Sequence, residues 1–412
     1  YAIWVPISES DVISWEFDSD KKGVSDGLVT IMSPAGADNY TDVKLLYSDE
    51  NGNALSGYTP LASLALENGT ATYTIKGSHT FPKGAASLTA VFSADGLPEL
   101  EYSFKIPEEK LYGADELPLF TFYAVSDLHL SDYWPEMAVN RTNMLEDILA
   151  NTPDFVVLNG DLVNNGTSQE YQRLDDVLQT WFNDNELPAF ITNGNHEFYV
   201  SDKNTLNYDR EGLLNSFSLQ LQALADMGYE IERPENELWY STVINGYKFI
   251  FLSVPSTSSP TQLANYTMSD EQLAFLELYD CEKSDVTAFV FSHVPLADSV
   301  PEQTTQIANS DEVSEIISKH PNAVFVSGHT HSNLSKDIDF VSIGNMTDTF
   351  TSFNDGCAVW LSGGSSKYGS YEVEFSAGQV VEVYEDKIII KARKFDDTCE
   401  FFSHALYTVE LP

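Results

Sequence analysis

The chain is poor in positive charge, in cysteine and in histidine. Its 412 residues hold 21 lysines and arginines against 63 acids, three cysteines and eight histidines. The formal net charge of −42 creates a field that repels nucleic acid backbones and anionic membrane surfaces. Neither is expected as a general partner. The few basic residues are scattered, so an anionic ligand would need local positive charge from another source, and bound metal ions can supply it. Cys281, Cys357 and Cys399 form no Cys-x-x-Cys pair. A Cys357–Cys399 bridge is open, and cysteine count does not fix the compartment. No apolar run approaches the ~20 residues of a membrane span. Internal repeats, low-complexity tracts, a P-loop, Gly-x-Ser-x-Gly and His-Glu-x-x-His are all missing, which removes support for several other chemistries. What is present is 42% hydrophobic and 12% aromatic residues, enough for a sizeable core and for two domains.

The pattern changes along the chain. Residues 1–107 read as a small all-β sandwich. Val43, Leu45 and Tyr47 alternate with other residues, as do Leu88, Ala90 and Phe92. Thr70–Lys76 and Glu101–Ile106 are similar short runs. Turn material such as Glu67-Asn68-Gly69 separates them. Asp18-Ser19-Asp20 faintly echoes a calcium loop, but Lys22 and Val29 stand where that loop needs oxygen, so no calcium site is expected. Residues 108–118 read as a linker. Residues 119–412 then alternate apolar strands with helices near 136–150, 168–184, 211–227, 269–280 and 309–319. Thr167 and Ser269 offer caps for two of these. Strands covered by helices on both faces give a layered α/β core. From about 339 the chain returns to strands: Val373–Phe375, Val380–Val383, Lys387–Ala392 and His404–Glu410.

Five apolar runs in residues 120–331 end in metal-binding side chains: FTFYAVSDLH, FVVLNGD, FITNGNHE, FVFSHVP and VFVSGHTH. They contain five of the eight histidines: His129, His196, His293, His329 and His331. They also supply Asp127, Asp161 and Asn195. Each motif is weak alone, since a single histidine in an apolar strand is usually a satisfied core residue. Together they are strong. Imidazole, carboxylate and amide oxygen suit borderline-to-hard divalent metals. Ligands just past strand ends can converge at the carboxyl edge of an α/β sheet. Gly160, Gly194 and Gly328 precede ligands and suit sharp turns there.

In this order the segments resemble the calcineurin-like metallophosphoesterases, whose signature reads Asp-x-His, Gly-Asp, Gly-Asn-His-Asp/Glu, His and Gly-His-x-His. The counterparts are Asp127-Leu-His129, Gly160-Asp161, Gly194-Asn195-His196-Glu197, His293 and Gly328-His329-Thr330-His331. The resemblance implies a four-layer α/β/β/α sandwich holding two divalent ions, with Mn, Fe, Zn and Co all admitted. It assigns Asp127, His129 and His331 to one ion and Asn195, His293 and His329 to the other. Asp161 bridges them, and His196 contacts the phosphate and protonates the leaving oxygen. Glu197 is read either as an orienting group or as a surface carboxylate. Purple acid phosphatases carry tyrosine at the position of Asn164, so that branch is not expected. The Gly-Asn-His-Glu form lies closer to bacterial phosphohydrolases and class III cyclic-nucleotide phosphodiesterases.

The expected function is phosphoester hydrolysis by a metal-activated hydroxide, leaning to phosphodiesters, with a small phosphoester as partner. Phosphomonoester hydrolysis is the alternative. Two further readings are a non-catalytic surface-binding protein and a two-metal hydrolase of a non-phosphate substrate. Inserts carrying Tyr133, Trp134, Phe198, Tyr199, Asp202, Tyr208 and Arg210 are expected to shape the pocket or to pack on the domain. Arg141 and Arg210 are candidate phosphate contacts. The chain starts at Tyr1, which reads as a processed product or a trimmed piece; the acidity and the β-sandwich lead to the expectation of an extracytoplasmic location. Oligomeric state stays open.

Overall fold

Alternation in the N-terminal hundred residues folds into seven strands: β1 (Ile13–Glu16), β2 (Gly27–Met32), β3 (Asp42–Ser48), β4 (Ala62–Ala65), β5 (Thr70–Ile75), β6 (Ser87–Ser93) and β7 (Leu100–Lys105). They make two antiparallel sheets, ordered β1-β2-β5 and β4-β3-β6-β7. Val29 and Ile31 from one and Val43, Leu45, Leu88 and Phe92 from the other share a single buried cluster. Asn68 and Gly69 both take positive φ, 52° and 75°, which suits a tight turn between antiparallel segments. The Asp18–Asp20 loop carries an internal cation. The buried Lys110 ammonium donates to the Ser19 carbonyl and lies 4.7 Å over the Phe17 ring.

This computed structural model describes residues 12–20, 22–34, 36–75, 79–111, 117–131, 137–198, 208–254, 266–278, 287–300, 305–320, 322–335, 341–343, 350–358 and 375–411. Cys281, Tyr133, Trp134, Tyr199, Asp202 and most of the expected Val373–Phe375 strand lie outside them. Cys357 and Cys399 are thiols and form no bridge with each other. The chain divides into two compact units. The first is residues 1–117 with 389–391 and 400–409; the second is residues 118–388 with 392–399 and 410–412. Segment 400–409 makes backbone bonds within the first unit: Thr59 N–H donates to Phe401 O at 2.9 Å, and Thr80 N–H to Leu406 O at 2.9 Å.

The remaining elements run β8 (Phe120–Val125), α1 (Met137–Asn151), β9 (Phe155–Asn159), α2 (Ser168–Val177), β10 (Ala189–Thr192), α3 (Arg210–Asp226), β11 (Tyr240–Ile244), β12 (Tyr247–Phe251), α4 (Asp270–Glu277), β13 (Ala288–Ser292), α5 (Ser310–Ile317), β14 (Ala323–Ser327), β15 (Val341–Ile343), β16 (Thr351–Asn354), β17 (Ser376–Val383), β18 (Lys387–Phe395) and β19 (Phe401–Glu410). One six-stranded sheet has the order β10-β9-β8-β17-β18-β19, the other β11-β12-β13-β14-β16-β15. Both are mixed. β8, β9 and β10 are parallel, as are β12, β13, β14 and β16, while β17 runs antiparallel to β8. Phenylalanines lock the sheets face to face: Phe122 against Phe249 with centroids 5.9 Å apart, Phe190 stacked on Phe251 at 5.4 Å. Each such buried ring contributes roughly 1.5–3 kcal/mol of transfer free energy. On the second sheet, Leu276 of α4 and Val313, Ile316 and Ile317 of α5 share a cluster with Ile250, Val290 and Phe325.

Thr167 and Ser269 cap α2 and α4, accepting from the N–H groups of Glu170 and Gln272. The partner side chains do not fold back onto the caps. Glu170 accepts from Asn165 N–H at 2.6 Å, and buried Gln272 bonds both the N–H and the carbonyl of Ser253. Each helix start is thereby tied to a neighbouring loop. The C-terminal strands differ from simple alternation: β17 and most of β18 are buried on both faces, as strands are where a sheet is covered on both sides.

Candidate metal centre

The five signature segments each begin where a parallel strand stops. Asp127 and His129 follow β8, Asp161 follows β9, Asn195 and His196 follow β10, His293 follows β13, and His329 and His331 follow β14. Three segments leave one sheet and two leave the other, so the crevice is built from both. The backbone bends sharply there. Asp127, His129, Asp161, His329 and His331 all sit at positive φ, between 43° and 67°. Left-handed geometry costs a non-glycine residue on the order of 1 kcal/mol or more, and such outliers cluster at functional sites. The glycines are fixed by contact. A Cβ on Gly194 would lie 2.2 Å from Asp161 Oδ1, and one on Gly160 would lie 2.6 Å from the His293 ring.

Asp161 is the hub. Its Oδ2 lies 3.1 Å from His293 Nε2 and 3.9 Å from Nε2 of both His129 and His196. Its Oδ1 accepts the His196 N–H at 2.8 Å. Asp127 Oδ1 lies 3.0 Å from His331 Nε2, 3.6 Å from His129 Nε2 and 3.8 Å from His293 Nε2. His129 and His331 face each other through their Nε2 atoms at 3.2 Å. Asp161, His293 and His329 form one tight donor group, and His129, Asp161 and His196 another. Donor atoms bound at ~2.0–2.2 Å to one ion stand ~3–3.6 Å apart, which is the spacing of the closest pairs here.

Charge and hydrogen bonding ask for a cation. Asn195 Oδ1, Asp127 Oδ1 and His293 Nε2 are buried without a hydrogen bond from the protein. Burial pushes His329 down to about 3 and His129 down to about 4, with repulsion from His293 and His196 respectively adding to it. Both rings are therefore neutral bases with a lone pair to give. His293 goes the other way: burial lowers it, but Asp161 and Asp127 hold it up at about 10. Protein groups alone thus retain a proton beside the two carboxylates, the place a divalent ion would fill. The donor set and its orphaned atoms fit two divalent ions.

Supporting contacts fix the rings. His293 Nδ1–H donates to Asn159 O at 2.8 Å and His196 Nδ1–H to Asn164 O at 2.7 Å, the second-layer pattern that sets a ligand's tautomer. Glu197 is fully buried, not a surface carboxylate. It accepts from the N–H groups of Leu162, Val163 and Gly194 at 2.7, 3.1 and 2.6 Å. It clamps the Asp161 and Asn195 turns together, while burial and the Asp161 charge push its carboxyl up to about 7. Arg141 is not a phosphate contact: buried, it donates to the Leu128 and His129 carbonyls at 3.1 and 3.4 Å. Phe198, Tyr208, Arg210 and Trp239 line a cavity of about 200 Å³, and Phe198 meets Tyr208 edge-on at 5.1 Å.

Sequence reasoning overlooked a sixth strand end. After β16, Asn354 donates to the carbonyls of Ser327 and Gly328 at 3.0 Å each. Asp355 accepts from Asn159 Nδ2 at 2.9 Å, and Cys357 Sγ lies 3.3 Å from His331 Nδ1. The signal was present in Ser352-Phe353-Asn354-Asp355-Gly356-Cys357, a strand ending in polar residues and glycine like the other five.

Fold and crevice together define a layered α/β protein with a carboxylate–imidazole cage at its strand ends. The family of calcineurin-like phosphoesterases matches residues 120–333, more than half of the chain, and the chain belongs to that family. A dimetal phosphatase from Danio rerio is similar in structure, with 16% identity and a TM-score of 0.50, over 72% of this chain and 100% of that one. GAP50, the anchor in the inner membrane complex of Plasmodium, aligns at 14% identity and a TM-score of 0.43, over 71% of this chain and 88% of its own. At these identities the likeness concerns the fold. Comparison with curated proteins found no match.

Proposed function

We propose that this protein hydrolyses small phosphoesters with two divalent cations, drawn from Mn, Fe, Zn and Co, and that it leans to phosphodiesters. The observation that carries the reading is the crowding of His293, His129 and His196 around Asp161 Oδ2, at 3.1, 3.9 and 3.9 Å. A carboxylate so surrounded suits a bridge between two ions, with Asp127, His129 and His331 on one side and Asn195, His293 and His329 on the other. When bound, such ions activate a water and neutralise charge building on the phosphoryl oxygens.

The residues divide the remaining work. Asp161 holds the His196 backbone through its Oδ1. The Asn164 carbonyl fixes His196 Nδ1, which leaves Nε2 to face the crevice. The His196 side chain is 26% exposed against 0–2% for Asp161, His129 and His293, so substrate can reach it. From there Nε2 can donate a proton to the departing oxygen. Phe198, two residues beyond His196, lines a cavity with Arg210, and the lean to an ester with an organic substituent rests on that nearness in sequence. A phosphomonoester at the same centre is the second reading.

The net charge supports a small ligand over a nucleic acid polymer. No helix among the described residues is long and apolar enough to cross a membrane. The acidity and the all-β N-terminal unit support an extracytoplasmic setting.

The test is elemental analysis with kinetics. Two divalent ions per chain are expected, with chelation abolishing hydrolysis of bis(p-nitrophenyl) phosphate. His196→Ala should keep both ions yet lower kcat by roughly 10²–10⁴, least for substrates with good leaving groups. Undiminished turnover by metal-free protein would sink the proposal.

A further inference from the structure

His331 differs from its neighbours in what holds its outer nitrogen. His293 and His196 each donate Nδ1–H to a backbone carbonyl, whereas His331 Nδ1 meets the sulfur of Cys357 at 3.3 Å. Cys357 is fully buried, and its Sγ also lies 3.7 Å from the Asp127 carbonyl oxygen. Asp127, His331 and Cys357 have the spacing of a three-donor metal group. The ring geometry argues against one ion touching all three. His331 turns Nε2 to Asp127 Oδ1 at 3.0 Å and Nδ1 to the sulfur. The two nitrogens of an imidazole diverge, so an ion on Nε2 is out of reach of a ligand behind Nδ1.

We infer that Cys357 is a positioning residue for one of the two metal sites, and not itself a ligand. The inference rests on the two-ion reading above. A neutral imidazole that gives its Nε2 lone pair to an ion must carry its proton on Nδ1. The sulfur then accepts a hydrogen bond from that Nδ1–H, and the thiol hydrogen is left to donate to the Asp127 carbonyl. Both contacts are long, as sulfur hydrogen bonds are. One side chain therefore ties the Asp-x-His turn to the Gly-His-x-His turn, two segments far apart in sequence that supply one ion. Its own anchor is the strand end after β16: Cys357 N–H donates to Ala377 O at 2.9 Å. Gly356 just before it takes φ of 81°, and a Cβ there would lie 2.4 Å from the same carbonyl. The sulfur has little freedom to move.

The experiment titrates zinc(II), which is diamagnetic, into the chelator-stripped full chain and follows its histidines by nitrogen-15 NMR. Wild type should bind two equivalents, with His331 protonated at Nδ1. Cys357→Ala and the bulkier Cys357→Val should weaken one equivalent about 10–100-fold and leave the other within about threefold. Cys357→Ser keeps a donor and an acceptor and should bind both nearly as wild type does. Two full-affinity equivalents in the Ala and Val variants would overturn the inference and leave the metal centre standing. Equal weakening in Ser, Ala and Val would also overturn it, since volume and not hydrogen bonding would then matter. A wild-type chain that takes up no zinc would sink the two-ion reading as well.

Discussion

Asp355 is buried, with Asn159 and Ser126 as its hydrogen-bond donors. Burial pushes its carboxyl up to about 8, against the lowering effect of hydrogen bonds from Asn159 and Ser126. An unfolded aspartate titrates near ~3.9. Between these values the native state holds a proton that the unfolded state has lost, so stability falls as pH rises from about 4 to about 8. Asp355→Asn mimics the protonated form and removes that dependence. In chelator, its melting temperature should hold up better than the wild type's between pH 5 and pH 8. Parallel curves would mean that Asp355 is ionised throughout.

The clustering of the candidate ligand residues was legible because metal chemistry admits few side chains and the fold puts them straight after strands. The strand end carrying Asp355 and Cys357 was visible as a pattern, but the roles of the two residues were not. Their meaning depends on β16 lying beside β14, a pairing that no local pattern announces. Glu197 was visible, but its role required knowing which amides crowd around it.

At the level of elements, α1 is pinned to its sheet by charge. Arg393 of β18 grips Asp147 of α1 through Nε at 2.8 Å and Nη2 at 2.6 Å. The Tyr123 hydroxyl and Asn151 add donors to the same carboxylate. The Arg393 and Asp147 side chains are only 10% and 3% exposed, so removing one partner strands a buried charge. Arg393→Met should cost about 3–5 kcal/mol in denaturant unfolding, and adding Asp147→Leu should restore much of the loss. A single variant as stable as wild type would show that water reaches the pair. Helix positions followed from apolar spacing and from the caps at Thr167 and Ser269. The β11–β12 hairpin, Tyr240–Ile244 with Tyr247–Phe251, was announced by Asn245-Gly246, whose φ values of 50° and 86° fit a type I′ turn, and it went unread because buried Ser241 and Thr242 break simple alternation.

Across the whole molecule, net charge sets how an anion arrives. A chain at −42 repels a phosphoester at long range even when the crevice itself is positive. Raising ionic strength from about 10 to 150 mM shortens the screening length from roughly 30 to 8 Å. KM for bis(p-nitrophenyl) phosphate should therefore fall several-fold with added potassium chloride while kcat stays level. A KM that climbs with salt would show that local attraction at the centre dominates.

Residues 400–409 impose an order of assembly. Tyr58, Thr59, His79 and Thr80 meet partners at Phe401, Ser403, Leu406 and Tyr407, so the first unit closes on a strand translated after almost all of the second. At about 5–20 residues per second, nearly the entire second unit leaves the ribosome while that edge stands uncovered. An uncovered edge is a template for pairing with strangers, and this interval is when the nascent chain most needs a chaperone.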